Sequence, residues 1–276
     1  MVNRKKLNPD SSPRAAFGAR LRSSREARGW KQDDLGTQMG YSGRHISAIE
    51  TARKPPSLPF SRAADTALGT EGTFELLWRE MAHGALLEGF SAYVDLEARA
   101  TEIRVYETGV VPGLLQTPAY ARALAEGHVR RGVITPEQAT ERVAVLMERQ
   151  KHLLRPRPPT MLVVLDESCI RRPVGGEDVM AEQLQHLVAL AELPNTVVQI
   201  APFAMAERRP FDLPIYLITM ADRSMAAYAE SQFQGHLDRE LSFALGVLSA
   251  YHQLQAGSLS QTSSVDVINQ VRKGIS

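Results

Sequence analysis

Lys31 to Lys54 reads KQDDLGTQMGYSGRHISAIETARK, and its internal spacing decides how the first part of the chain folds. Gln32 opens the stretch, Gly36 and Gly40 follow at four-residue intervals, and Ile46 and Ile49 come later. Gly36 marks a place where two helices cross too closely for a side chain. Gly40 falls just past the end of the first helix, where a positive φ is needed and glycine has no Cβ to oppose it. Ser42 can cap the second helix. Leu35, Met39, Tyr41, Ile46 and Ile49 stand where two helices bury apolar surface against each other and their neighbours. The second helix is left with Gly43, Arg44, Ser47, Ala48 and Thr51 on its outer face. That face is small and polar with a single Arg, and it suits the major groove of DNA. An ordinary helical hairpin explains the apolar positions equally well. It does not explain the paired glycines, the Gln opener and the polar outer face together.

The flanks extend the pattern. Upstream, FGARLRSSREARG has helical spacing closed by Gly29. Downstream, Pro55 and Pro56 stop the second motif helix. Two amphipathic segments follow, near 58–67 and 73–87, which makes five helices in a compact all-α domain over 13–88. The stripe Phe74, Leu76, Leu77, Trp78 and Met81 reads either as core or as a dimer surface. Residues 1–60 hold 12 Lys and Arg against 5 Asp and Glu, a net +7, and the remainder holds 20 against 26, a net −6, within the overall +1. A basic head on an acidic body fits phosphate neutralisation and predicts steep salt dependence. The tail over 1–12, with Arg4, Lys5 and Lys6, reads as disordered, either merely solvated or a basic arm on DNA.

The first quarter of the chain resembles the Xre or lambda-repressor-type DNA-binding domains. The residues that carry the likeness are Arg25, Gly29, Gln32, Gly36, Gly40, Ser42, Ile46, Ser47, Ile49 and Glu50. The resemblance implies a structural ion pair between Arg25 and Glu50. It also implies backbone contacts from Lys31, Gln32, Thr51, Arg53 and Lys54, and base contacts from Ser42, Gly43, Arg44, Ser47 and Ala48. Gly43 departs from the longer polar residue often found there, which leaves Arg44 as the main reader. His45 reads two ways, packed sideways or touching phosphate.

The chain has 276 residues, 43% of them hydrophobic and 23% charged, which suggests two domains of ordinary soluble composition. The sequence has no apolar run of ~20 residues. The N-terminus is not that of a secretory signal. The single cysteine, Cys169, excludes an internal disulfide. These features point to the cytoplasm. Beyond residue 89 the pattern turns to α+β with one mixed or antiparallel sheet. Thr117–Pro118 and Thr135–Pro136 open helices, the second with a capping box to Gln138. MLVVLDE and TVVQIAPF read as strands, FDLPIYLITM and SMAAYAES as an antiparallel pair around Ala221–Arg223. EDVMAEQLQHLVALAEL, HLDRELSFALGVLSAYHQL and SLSQTSSVDVINQVRKG read as helices.

This second part resembles the C-terminal domain of unknown function of actinobacterial WhiJ-type regulators. The match rests on VVPGLLQTPAYARAL, on LDESCIRRPVGGEDVMAEQLQHL, on VVQIAPF and on Tyr228 and Glu230. One departure stands out: MAERRPFDLP replaces the Gly-rich turn that usually follows the APF-like strand. A single head of this size reads few bases, so a homodimer on a palindromic operator in double-stranded DNA is expected; the resemblance adds a small acidic protein encoded nearby as a possible partner. An antitoxin-like or signalling adaptor that binds such a protein, with DNA binding for autoregulation, is the alternative.

Catalysis is not expected. Asp166 and Glu167 are adjacent and in a strand would face opposite ways. Ser168 and Cys169 lack a nucleophile elbow. The His residues show no metal-ligand spacing, and nothing calls for a metal or a cofactor. Tyr93, Tyr106, Tyr120, Tyr216 and Tyr228 read as core or as a pocket lining. Glu167 with Arg171 at i+4 reads as an ion pair. Together with Arg172 and Tyr228 these form the candidate effector or partner site.

Overall fold

The structure is a computed structural model that describes residues 12–84, 90–230 and 235–275. Of the basic tail read over 1–12, residues 1–11 lie outside the described residues and Ser12 caps the first helix; the domain boundary read near 88 also lies outside them. The chain divides into two compact units, Met1–Ala85 and Leu86–Ser276.

The first unit is helical: α1 (Pro13–Ala27), α2 (Gln32–Met39), α3 (Gly43–Glu50), α4 (Leu58–Leu68) and α5 (Thr73–Gly84). Its boundaries follow local chemistry. The side chains of Ser12, Ser42 and Ser57 each accept a backbone N–H at the start of a helix, relieving donors that have no partner within it. Gly40, at φ 72°, ends α2. A Cβ on Gly36 would lie 2.4 Å from the Tyr41 carbonyl oxygen. That residue is glycine because the turn between α2 and α3 folds back onto it. A close approach the sequence did not reveal occurs at Gly18, whose Cβ would meet the Ile49 and Glu50 carbonyl oxygens at 2.6 and 2.9 Å. Phe17, Leu21, Leu35, Ile46, Ile49, Phe60 and Phe74 form the core. Within α5, Phe74 and Met81 are buried in that core and Leu77 and Trp78 pack on it, while Leu76 is exposed. Most of the stripe is therefore intramolecular.

The second unit carries one six-stranded mixed sheet in the order β3-β2-β1-β4-β5-β6. Its strands are β1 (Glu102–Glu107), β2 (Thr160–Asp166), β3 (Thr196–Ala201), β4 (Ile215–Thr219), β5 (Met225–Glu230) and β6 (Gly235–Asp238). β1, β2 and β3 run parallel, and β4, β5 and β6 extend the sheet antiparallel. The helices are α6 (Phe90–Glu97), α7 (Pro118–Arg130), α8 (Pro136–Gln150), α9 (Ser168–Arg171), α10 (Glu177–Ala191), α11 (Leu241–Gly257) and α12 (Gln261–Ile275). Side chains alternate across the sheet. Ile103, Val105, Val163, Ile200, Ile218 and Tyr228 pack on one face with α6, α7, α10 and α12. Tyr106, Val164, Leu217 and Ala227 pack on the other with α11.

Several expectations need correction. β1 has no clear strand pattern in the sequence because Glu102, Arg104 and Glu107 interrupt its apolar positions; Arg104 and Glu102 pair with each other. α6 likewise has no sequence signal. His236 to Asp238 belong to β6, not to a helix, because Leu237 pairs with Tyr228 across β5; α11 starts at Leu241. Asp166 ends β2 and Glu167 already has helical dihedrals, so the two do not share a strand. In MAERRPFDLP, Ala206 adopts φ 47°, a region that favours glycine.

Gly36→Ala should destabilise the first unit by about 1–3 kcal/mol, since the added methyl meets backbone that cannot move aside. Thermal unfolding of the N-terminal transition checks this, and an unchanged midpoint would mean that the turn yields.

Candidate nucleic-acid interface

The geometry of α3 is set from beneath by one buried carboxylate. Glu50 is fully buried. Arg25 from α1 donates to it twice, Nε to Oε1 at 2.5 Å and Nη2 to Oε2 at 3.0 Å. Arg25 Nη1 also donates to the Trp30 carbonyl at 2.6 Å. The hydrogen bond to Glu50 holds the Arg25 guanidinium in its charged form, raising its pKa against the cost of burial. Gln32 Nε2 donates to Glu50 Oε2 at 2.8 Å. One carboxylate thus ties α1, the start of α2 and the end of α3 together.

That arrangement sorts the candidate residues. Arg44, Ala48 and Thr51 fall at i, i+4 and i+7, on the side of α3 away from buried Ile46 and Ile49, with Ser47 on the flank. Arg44 is exposed and makes no hydrogen bond or ion pair within the described residues. Lys31, Ser42, Arg53 and Lys54 are also exposed. The Thr51 hydroxyl donates to the Ser47 carbonyl at 2.6 Å and accepts from Arg53 Nε at 2.9 Å. Gln32 is half-buried with its amide committed to Glu50, so its role is at least as much internal as external. Gly43 is not on the outer stripe. A Cβ there would stand 1.9 Å from Asp33 Oδ1 and 3.1 Å from Asp33 Cα; its absence lets α3 approach α2. His45 packs sideways, its ring 4.9 Å from Tyr41 and stacked 5.6 Å from Phe60. Burial, and then nearby Lys54, lower its pKa.

In the second unit the candidate residues do not form one site. Glu167 Oε1 accepts from Arg171 at 2.6 Å, and Oε2 accepts the Phe203 N–H at 2.8 Å, so the carboxylate anchors the turn after β3. Arg172 is exposed beside Gly109. Tyr228 is buried, its ring stacked 4.4 Å from Tyr93 and its hydroxyl donating to Glu230 at 2.9 Å.

Sequence reasoning missed the group that surrounds Tyr228. Arg149 of α8 grips Glu97 of α6 at 2.7 and 2.8 Å and lies 4.7 Å from the Phe90 ring centre. Tyr216 donates to Glu107 at the end of β1, and the Thr108 N–H also reaches that carboxylate, at 3.1 Å. The Tyr93 hydroxyl, enclosed by Tyr216 and Tyr228, has no hydrogen-bond partner among the described residues. Burial pushes the Glu107 carboxyl up to about 7, against the hydrogen bonds from Tyr216 and Thr108 that favour its charged form. Burial raises Glu230 likewise. Only the density of Tyr residues signalled this group, because its members are scattered along the chain.

Two outcomes follow from these pairs. Arg25→Ala leaves buried Glu50 with only the more distant Arg22, 3.6 Å away, as a cation, and should cost about 3 kcal/mol of first-unit stability; chemical denaturation measures it. Glu107 binds its proton more tightly folded than unfolded. Its contribution is therefore full below the unfolded value of 4.5 and is lost as pH rises through about 7. Relative to Glu107→Gln, the wild-type second unit should lose about 3 kcal/mol at most between about pH 5 and about pH 8. A constant difference across that range would show that the carboxyl titrates normally.

Among the described residues, no helix is long and apolar enough to cross a membrane. Neither a curated protein nor a solved structure matches the chain. Two family models do. A helix-turn-helix domain matches residues 16–76, which cover α1 to the start of α5 and point to a DNA-binding regulator. The domain of unknown function DUF5753 matches residues 90–270, from α6 into α12. That second match spans more than half of the sequence, and by it the chain belongs to the DUF5753 family, with a helix-turn-helix domain at its head.

Proposed function

We propose that the protein is a sequence-specific transcriptional regulator of the Xre type, with a second unit of the WhiJ type, working as a homodimer on a two-fold operator. The observation that carries this is α3 itself. It is fixed from beneath by Glu50 and presents exposed Arg44 at the head of an otherwise small outer stripe. Arg44 can donate two parallel hydrogen bonds to a guanine edge, whereas Ala48 and Ser47 are small enough to let the helix approach. Lys31, Arg53 and Lys54 are exposed cations for phosphates, which set register without reading sequence. The +7 charge of residues 1–60 supports the same reading. A single head reads few bases, so a useful operator needs two, with half-site centres about 34 Å apart.

The second unit is the regulatory part in this reading, responding to a small effector or a partner protein and having no catalytic role. What favours it is a groove of about 440 Å³ between α7 and α8. Ala125, Val129, Ala139 and Val143 line it, with Arg122, Glu126 and Arg130 also in its wall. A mainly apolar groove with a charged rim of both signs suits a ligand or peptide that carries both apolar and polar groups.

The test is fluorescence anisotropy with the fragment upstream of the protein's own gene against a scrambled fragment, at two salt concentrations. Preference that survives the higher salt is expected. Equal binding to both fragments that vanishes with salt would overturn the reading. Arg44→Ala should reduce discrimination between operator and scrambled DNA by ~1–3 kcal/mol while leaving the fold intact; unchanged discrimination would remove Arg44 as the main reader.

A further inference from the structure

Two acids stand in the first turn of α2, and they differ in what occupies them. Asp34 Oδ2 accepts the Lys31 N–H at 2.7 Å, closing the start of the helix. Asp33 is exposed, and its carboxylate makes no hydrogen bond or ion pair among the described residues. Its place is set by a neighbour that has no side chain. A Cβ on Gly43, the first residue of α3, would stand 1.9 Å from Asp33 Oδ1 and 2.8 Å from its Cγ. The Asp33 carboxylate therefore fills the volume that a side chain at position 43 would take.

The surroundings give that place its meaning. Lys31 precedes Asp33 on α2, and Ser42 and Arg44 flank Gly43; all three are exposed. The carboxylate thus lies among the side chains that the DNA reading turns toward a duplex, where phosphates repel it. The positive end of α3 supplies part of an offset. A hydrogen-bond donor on the DNA supplies the rest. In the major groove such donors are the exocyclic amines, N4 of cytosine and N6 of adenine. Arg44 decides between them. A guanidinium matches guanine O6 and N7, and beside that O6 the paired base shows the cytosine N4 amine. A side chain that only donates next to one that only accepts therefore fits the edge of a single G·C pair.

We propose that Asp33 is a second specificity-determining residue of the head, accepting from N4 of the cytosine whose guanine partner is held by Arg44. This assignment rests on the DNA-binding reading and deepens it: both bases of one pair are read, by residues from two helices. Gly43 is the condition for it, since a side chain there would displace the carboxylate.

Selection from a random duplex library with the full-length chain tests the proposal. The wild type should enrich an operator, and Arg44→Ala should lose the preference at one G·C pair. Asp33→Ala should lose about tenfold at that same pair and keep the preference at the others. Its binding to scrambled DNA should be no weaker, because a negative charge has left the phosphate-facing surface. Asp33→Asn keeps the shape and one carbonyl acceptor, and should retain most of the preference that Asp33→Ala loses. An unchanged preference in Asp33→Ala would overturn the proposal. So would an even loss at every position with a lowered thermal transition, which would make Asp33 a packing residue, and so would Asp33→Asn behaving as Asp33→Ala does. Failure of the wild type to enrich any sequence would sink the DNA reading and this assignment with it, whereas an operator read by Arg44 and indifferent to Asp33 sinks the assignment alone.

Discussion

A carboxylate with no solvent exposure is costly unless its oxygens are occupied by strong donors. Glu50 sits at the end of α3, and its two oxygens receive Arg25 from α1 and Gln32 from α2. These partners are 25 and 18 residues away along the chain, so satisfying the charge brings three helices to one point. Gly18 belongs to the same constraint, since any side chain there would push α1 off the carbonyl groups of Ile49 and Glu50. The outward stripe of α3 follows from this inner fixing. Its Arg44 is presented by a helix whose other side is pinned by an ion pair, and a pinned helix loses less entropy on entering a groove.

The second unit uses the same principle more diffusely. Glu97 with Arg149, Glu107 with Tyr216, and Glu230 with Tyr228 are three acid pairs gathered around α6, α8 and the meeting of β1, β4 and β5. Each pair joins a carboxylate to a donor inside apolar surroundings, where hydrogen bonds are strong and missing ones expensive. Arg149 also stands over the Phe90 ring, a contact that keeps its charge favourable among aromatic neighbours. The two faces of the sheet are covered unequally. α6, α7, α10 and α12 build one layer, while α11 is the principal helix of the other. A face covered mainly by one helix exposes that helix's back, which here holds Ser242, Gly246, Ser249, His252 and Gln253.

Much of this was legible from local chemistry. Gly40 and Ser42 mark the end of α2 and the start of α3 because a positive φ and a free N–H have few residue solutions. Thr117, Thr135 and Gln138 act as caps in the structure as their spacing implied. The apolar runs of β2 and β3, and the β4–β5 pair about its turn, form from residues close in sequence. The Arg25–Glu50 pair came through resemblance to a known family, and Arg44's exposure from helix periodicity. By contrast, β1 is a central strand whose polar residues hide it. β6 lies in a segment with helical spacing that pairing with β5 overrides.

By itself, then, the sequence determined the helix-turn-helix, the basic head, the α+β character of the second part and most helix ends, because these rest on neighbours within a few residues. The tertiary structure alone decided which polar groups remain available. It turned Gln32 inward to Glu50, set Gly43 against Asp33, placed His45 between Tyr41 and Phe60, and separated Tyr228 from Glu167. Tyr216 and Glu107 meet across 109 positions of chain. No local periodicity encodes such a meeting, since burial and hydrogen bonding between distant residues are settled only when the strands and helices that carry them have packed.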